Sequence, residues 1–368
     1  MKSNGDPKHC APVRPTNQIP RRCFLRQSAV VATGLSFHFT GSQPARAAAA
    51  QGACIMTVLG SIPVADLGVT LTHEHVLVDF IGADKITRDR YDVDDALANI
   101  LPHLRSLKEL GCRALVECTP AYLGRDPVLL RRLAERSGLH LLTNTGYYGA
   151  AENKFLPAHA FTETADQLAA RWVTEWRDGI EGTKIRPGFV KIGVGGQSLS
   201  DLHRKLVCAA ARTHSATGLV IASHTGPAKL ALEEVAILRQ EGVNASAFVW
   251  VHAQAEADVE AALKLAREGC WVSYDGFDAK ENPRYVEFLR RFVKEGRLGQ
   301  VLLSHDAGWY RPGEPKGGQF KPFDAIFRVL IPALKEAGFN QEQIDQLLIR
   351  NPAAAFAVRV RKVVSGAR

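Results

Sequence analysis

Beyond its first fifty residues the chain has no apolar run near the roughly 18 residues needed to cross a bilayer, so no stable membrane anchor is expected. It has no C-x-x-C pair of the kind that holds structural zinc. It has no G-x-S-x-G elbow, no P-loop lysine motif and no dinucleotide-binding glycine signature. The serine-nucleophile, nucleotide-phosphate and Rossmann classes therefore lack their sequence support. There is no short internal repeat and no low-complexity segment after residue 50. Five cysteines remain in that region (Cys54, Cys112, Cys118, Cys208 and Cys270), an odd and scattered set that does not form a disulfide framework.

Charge is present in excess but is unevenly placed. The 368 residues carry 46 Lys plus Arg against 38 Asp plus Glu, a net charge of +8. Within residues 1–50 seven bases face the single acid Asp6, leaving 39 bases and 37 acids in the other 318 residues. No lysine- or arginine-rich segment survives there, and no nucleic-acid partner is expected. Basic residues, then a moderately apolar stretch from Ser28 to Thr40, then small residues around Ala45-Arg46-Ala47 and Ala48-Ala49-Ala50 follow the order of an export signal. Arg21-Arg22-Cys23-Phe24-Leu25-Arg26 resembles a twin-arginine signal. Residues 1–50 are thus expected to be removed on export to the periplasm or outside by the twin-arginine machinery. Residues 51–368 would form one domain. Replacing Arg21 and Arg22 with lysines is expected to leave unprocessed precursor in the cytoplasm, as immunoblots of cell fractions would show; normal processing would reject this reading.

After a hairpin over 55–66, with Gly60-Ser61 at its turn, short apolar segments recur at 68–80, 112–120, 139–148, 188–196, 218–226, 247–253, 270–277 and 301–308. Helical patterns lie between them. Tyr285, Phe288, Leu289 and Phe292 recur at i, i+3, i+4 and i+7, after an Asn282-Pro283 start signal. Eight near-continuously apolar strands, each followed by a helix, suggest a parallel sheet covered on its outer face. Polar residues at the ends of many strands favour closure into an α/β, (β/α)8 TIM barrel over a doubly wound sheet.

Those strand ends carry the chemistry. The first reads Thr72-His73-Glu74-His75, and residues two apart on a strand share a face. The fourth places Lys191 inside Phe189-Val190-Lys191-Ile192-Gly193, where an ammonium is costly to bury. The fifth ends Ser223-His224, the sixth Val251-His252 and the eighth Ser304-His305-Asp306. Five strands delivering His73, His75, Lys191, His224, His252 and Asp306 to one end of a barrel point to a metal centre.

With these residues and Val58-Leu59-Gly60 and Gly68-Val69-Thr70-Leu71-Thr72-His73-Glu74-His75, the chain resembles the phosphotriesterase family of the amidohydrolase superfamily. The resemblance implies two divalent metal ions, zinc by default with manganese, cobalt or iron as alternatives. His73, His75 and Asp306 would bind the more buried ion, and His224 and His252 the other. Lys191, carboxylated by carbon dioxide to a carbamate, would bridge them. A metal-bridging hydroxide would cleave a small-molecule lactone, carboxylic ester or phosphoester, with Asp306 taking the proton. A cyclic-amide hydrolase of the same superfamily, or an exported barrel that binds metal or ligand without turnover, are the other readings. A homodimer is also what the resemblance implies.

Three further residues are expected near the substrate: Tyr148 at the end of strand three, Asp275 at the end of strand seven, and Trp309 in the glycine-rich segment 307–322, which reads as a lid or as a surface connection. His305, beside Asp306, should point away from the metals by alternation. The family commonly has an aspartate soon after the sixth-strand histidine. Here the segment is His252-Ala253-Gln254-Ala255-Glu256, with Glu256 as a substitute or no relay at all.

Overall fold

The computed structural model describes residues 52–363. The expected export signal over residues 1–50 lies outside them. A two-stranded antiparallel hairpin comes first, β1 (Cys54–Thr57) and β2 (Gly60–Pro63). Its turn is Val58-Leu59, two residues earlier than the sequence suggested. Gly60 instead pairs with Thr57, at a positive φ of 116°.

The eight expected strands follow in order: β3 (Thr70–Leu77), β4 (Ala114–Glu117), β5 (His140–Leu142) continued by β6 (Asn144–Thr145), β7 (Phe189–Gly193), β8 (Ile221–His224), β9 (Phe248–Val251), β10 (Trp271–Tyr274) and β11 (Val301–Leu303). A short β12 (Gly308–Tyr310) then pairs with β3. Neighbours are parallel in the orders β12-β3-β4-β5 and β6-β7-β8-β9-β10-β11. The exit of β11 is bonded to β3: Thr72 Oγ1 donates to Leu303 O (3.1 Å), Asp306 N to His73 O (3.2 Å) and His75 N to Ala307 O (2.9 Å). The fold is a (β/α)8 barrel.

Between the strands lie α1 (Val93–Glu109), α2 (Pro127–Ser137), α3 (Ala158–Thr162), α4 (Ala165–Asp178), α5 (Asp201–Thr217), α6 (Ala228–Gln240), α7 (Val259–Arg267) and α8 (Asn282–Lys294), with α9 (Ile331–Glu336), α10 (Gln341–Asp345) and α11 (Asn351–Phe356) at the C-terminal side. Local signals start and stop them. Asp126 accepts from the N–H groups of Val128 and Leu129, Pro127 opens α2, and Gly138 ends it in the left-handed conformation. On α8 the stripe Tyr285, Phe288, Leu289 and Phe292 is buried as its spacing predicts. Asn282 lies inside that helix rather than capping it, with Glu281 at the cap position.

Two apolar layers result. The outer one joins the helices to outward strand residues such as Leu71, Leu115, Val190, Ile192 and Leu303. The inner one fills the barrel with Val116, Leu142, Phe189, Ala222, Val249, Val251 and Leu302, closed below by Ile55 of the hairpin and Phe356 of α11. This packed floor leaves only the strand C-termini open for chemistry. The five cysteines Cys54, Cys112, Cys118, Cys208 and Cys270 are free.

Candidate metal centre

The inner layer dictates what stands above it. On β7 Phe189 points into the barrel, so Lys191 two residues on does the same; on β8 Ala222 likewise sets His224. On β3 simple alternation fails. Leu71 faces outward opposite Leu115, and His73 would follow it. The ladder with β4 shifts register between Leu71 and Glu74, one extra residue on β3, and this bulge turns His73 and His75 inward and Glu74 outward. His252 and Asp306 lie just beyond their strands and reach the cavity through left-handed backbone, at φ 64° and 53°.

All six expected ligands therefore line one cavity of about 80 Å³. His73 Nε2 is 3.3 Å from His75 Nε2, while Asp306 Oδ1 is 3.1 Å from His75 Nε2 and 3.7 Å from His73 Nε2. These three offer ligand atoms within 4.8 Å of one another, a grouping able to hold a cation. His224 and His252 are close on the other side, with ring centroids 4.4 Å apart and His252 5.0 Å from His73. Lys191 Nζ is buried and has no hydrogen-bond partner. Gly146, at φ 110°, lets the neighbouring chain approach, since a Cβ there would lie 2.2 Å from Lys191 O.

Outer partners fix the ring tautomers. Thr119 Oγ1 donates to Leu77 O (3.0 Å), so it accepts from His75 Nδ1 (2.7 Å) and leaves Nε2 free for the cavity. His252 Nδ1 donates to Asp275 Oδ1 (2.7 Å), and the His252 N–H donates to Oδ2 (3.1 Å). His73 Nδ1 faces the same Oδ2 at 3.4 Å without a made hydrogen bond. Burial holds His73 down to about 4, only partly offset by Asp275, and holds His224 well below its ordinary value. For His252 burial also acts downward, but the Asp275 carboxylate outweighs it and the net shift is upward. Burial lowers the Lys191 amine, which favours the uncharged form. Imidazole nitrogens, an unpartnered amine and a carboxylate converging on one point form a donor set for divalent cations.

The remaining site expectations divide. Tyr148 lines the cavity with its ring 5.0 Å from His224, and Trp309 lines it with its ring 6.0 Å from His75. Asp275, expected near the substrate, is instead wholly buried behind His73 and His252. Its carboxylate is engaged by the His252 ring and backbone and by Gln254 Nε2 (3.1 Å), so it orients imidazoles and cannot reach a substrate. Glu256 is no substitute relay: its oxygens accept from the N–H groups of Ala228 (3.3 Å) and Asp258 (3.1 Å), away from the cavity. Of the loop aromatics only Trp309 faces the site. Tyr310 donates to Asp95 Oδ2 (2.6 Å) and Phe320 stacks on His103 at 4.4 Å, both against α1.

His305 does point away, but it is buried against Glu74 rather than idle. Glu74, Thr119 and Glu234, which accepts from Ser223 Oγ (2.5 Å) and Thr225 Oγ1 (2.6 Å) on either side of His224, had no role assigned from sequence. An acid between two histidines in an apolar strand was the available signal, because a carboxylate buried there must find donors. A roomier cleft of about 300 Å³ lies between Tyr91, Tyr122 and Arg125, but both terminal nitrogens of Arg125 already donate, to Glu175, Glu181 and Asn144 O.

A parallel barrel with this donor set at its strand C-termini defines a metal-dependent hydrolase. Known proteins agree. Residues 53–356 match the model of the phosphotriesterase family. The phosphotriesterase homology protein of Escherichia coli (strain K12) is 29% identical over 293 residues, covering 78% of this chain and 98% of that protein. The aryldialkylphosphatase of Saccharolobus solfataricus is 27% identical over 312 residues, covering 81% and 97%. The organophosphorus hydrolase structure from Deinococcus radiodurans superposes with a TM-score of 0.73 at 27% identity, covering 83% of this chain and 98% of that one. The chain belongs to the phosphotriesterase family, within the amidohydrolase superfamily.

Proposed function

We propose that the chain is a dinuclear hydrolase of neutral, apolar-tailed esters: lactones, carboxylic esters or phosphotriesters. The observation that carries this reading is the make-up of the cavity wall. Apart from the six expected ligands it consists of Val78, Phe80, Cys118, Pro120, Leu123, Tyr148 and Trp309, with no arginine and no lysine besides Lys191. An anionic substrate would meet no protein cation there, whereas an apolar tail would meet Phe80 and Trp309, whose rings lie 5.5 Å apart.

His73, His75 and Asp306 would hold one ion, and His224 and His252 the other. The neutral Lys191 amine would add carbon dioxide, releasing one proton, to give a carbamate that supplies an anionic oxygen donor between the two sets of ligands. The ions, zinc by default, would supply Lewis acidity toward the carbonyl or phosphoryl oxygen and acidify a water. Asp306, the one carboxylate lining the cavity, would take the proton released as that water attacks. Tyr148 would flank the reacting group on the His224 side.

The test combines metal analysis with a substrate panel. Two metal ions per chain, turnover of a lactone, ester or phosphotriester, and no turnover of a phosphomonoester are the expected results. One ion per chain overturns the dinuclear reading. Cyclic-amide cleavage alone would favour the other superfamily reaction, and two ions without hydrolysis would favour a binding protein.

A further inference from the structure

Glu74 and His305 lie outside the cavity, yet their hydrogen bonds enclose the segment that carries both Asp306 and Trp309. Glu74 is fully buried and accepts four bonds from three residues of the segment 304–307. Ser304 Oγ (2.8 Å), His305 N (2.9 Å) and His305 Nδ1 (2.6 Å) donate to its Oε1, and Ala307 N (2.8 Å) donates to its Oε2. With Nδ1 donating, His305 Nε2 is an acceptor, and it takes the N–H of Ile326 at 2.9 Å. One carboxylate–imidazole pair thus grips the chain at Ala307 and again at Ile326, the two ends of the long connection after strand β11.

Within those ends, Gly308 and Lys321 exchange two backbone bonds of 2.9 Å and close the base of the loop. Gly308 fits only because it lacks a side chain: at φ 101°, a Cβ would lie 1.7 Å from His75 O. The enclosed backbone is strained. Asp306 and Trp309 are left-handed at φ 53° and 77°, conformations that non-glycine residues hold only when their surroundings over-determine them.

We infer that Glu74 and His305 act as a clasp that positions Asp306 and Trp309 as one unit. The cavity's only carboxylate and its tail-facing indole are then set by the same pair. Glu74 and His305 are positioning residues and touch no substrate. The part of the inference that concerns substrate tails rests on the hydrolase reading above; the part that concerns backbone anchoring does not.

Hydrogen exchange on the metal-free, full-length chain tests the anchoring. In the unsubstituted protein the amides of Ala307 and Ile326 should exchange more slowly than those of residues 311–319 between them; equal rates overturn the clasp. In His305→Phe, which keeps a buried ring but cannot bond Glu74 or Ile326, exchange should rise across 307–326 and not in β7 or β8. Unchanged exchange, or a uniform rise along the chain, overturns it. If that variant does not fold, the comparison within the unsubstituted protein still decides. The kinetic measurement uses two esters with the same reacting group and short or long alkyl tails. His305→Phe should lower kcat equally for both but raise KM for the long tail alone, by about tenfold, on the scale of a lost apolar contact. Equal KM changes for both tails overturn the coupling to Trp309. Absence of turnover in the unsubstituted enzyme would sink the hydrolase reading and leave the exchange result standing.

Discussion

Lys191→Ala is expected to strip the protein of most of its metal and nearly all of its hydrolytic activity while leaving the barrel folded. The argument starts from the amine's surroundings. Nζ is buried with no hydrogen-bond partner, above Phe189 and among His73, His75, His224, His252 and Asp306. A protonated lysine there would add like charge to a site built to hold cations, and burial already drives it toward the neutral form. A neutral amine among cation ligands is useful once carboxylated, because the carbamate then supplies the second negative charge that Asp306 alone does not. Loss of a side chain that orients a metal-binding group typically costs about 10–100-fold in metal affinity, and loss of the proposed bridging group should exceed that range. Alanine removes a group that is expensive to bury, so the melting temperature of the metal-free variant should match that of the metal-free parent. Metal per chain by elemental analysis and kcat on a lactone or ester check the outcome. Acetate or propionate with added metal should restore part of the activity by filling the vacated space with a carboxylate. A variant that keeps two ions and its kcat would overturn the bridging assignment.

The site was partly legible in sequence because barrel strands obey a period of two and because buried lysine and histidine are conspicuous in apolar runs. Lys191 and His224 sit above Phe189 and Ala222 by that rule alone. The rule also puts His305 on the outer face, where it is found. For the other expected ligands the residue types were readable but the means of presentation was not. His73 faces inward only through the bulge between Leu71 and Glu74, and His252 and Asp306 only through left-handed backbone beyond the strand ends. Neither feature has a glycine or asparagine at the residue concerned to announce it.

Partners fixed by register between distant strands were harder still. Asp275 meets His252 because β9 and β10 pair with Trp250 opposite Val272, a relation that no local pattern encodes. Glu74 meets residues 304–307 only because the eighth strand returns beside the first. The fold itself was more accessible. All eight strand segments appear, although each is shorter than its apolar run, since the flanking residues leave the ladder to form turns, two of which present His252 and Asp306. The hairpin turn was misplaced because Gly60-Ser61 suggests a turn, whereas Gly60 uses its positive φ inside the ladder.

The second large effect is expected at Asp275, and it follows from donor and acceptor count rather than from size. Both carboxylate oxygens are acceptors with donors already aimed at them: His252 Nδ1 and Gln254 Nε2 at Oδ1, and the His252 N–H with His73 Nδ1 nearby at Oδ2. Asparagine is nearly isosteric but carries an NH₂ in place of one oxygen. Placed toward His252 Nδ1, that NH₂ opposes a donor and drives the imidazole to its other tautomer, with a proton on the cavity-facing Nε2. Placed toward Oδ2, it opposes the backbone N–H of His252 and takes away the acceptor that His73 Nδ1 faces, so His73 loses its bias toward an Nδ1 proton. Either way one imidazole is less held to the tautomer that turns a lone pair to the cavity.

Because His73 and His252 belong to the two different expected ion positions, Asp275→Asn should weaken metal binding by about 10–100-fold. The kcat should recover in large part when metal is supplied in excess, unlike that of Lys191→Ala. A metal titration followed by both bound ions and turnover separates the two variants. Parental metal affinity in Asp275→Asn would show that the carboxylate is a packing feature and that the histidine tautomers are set without it.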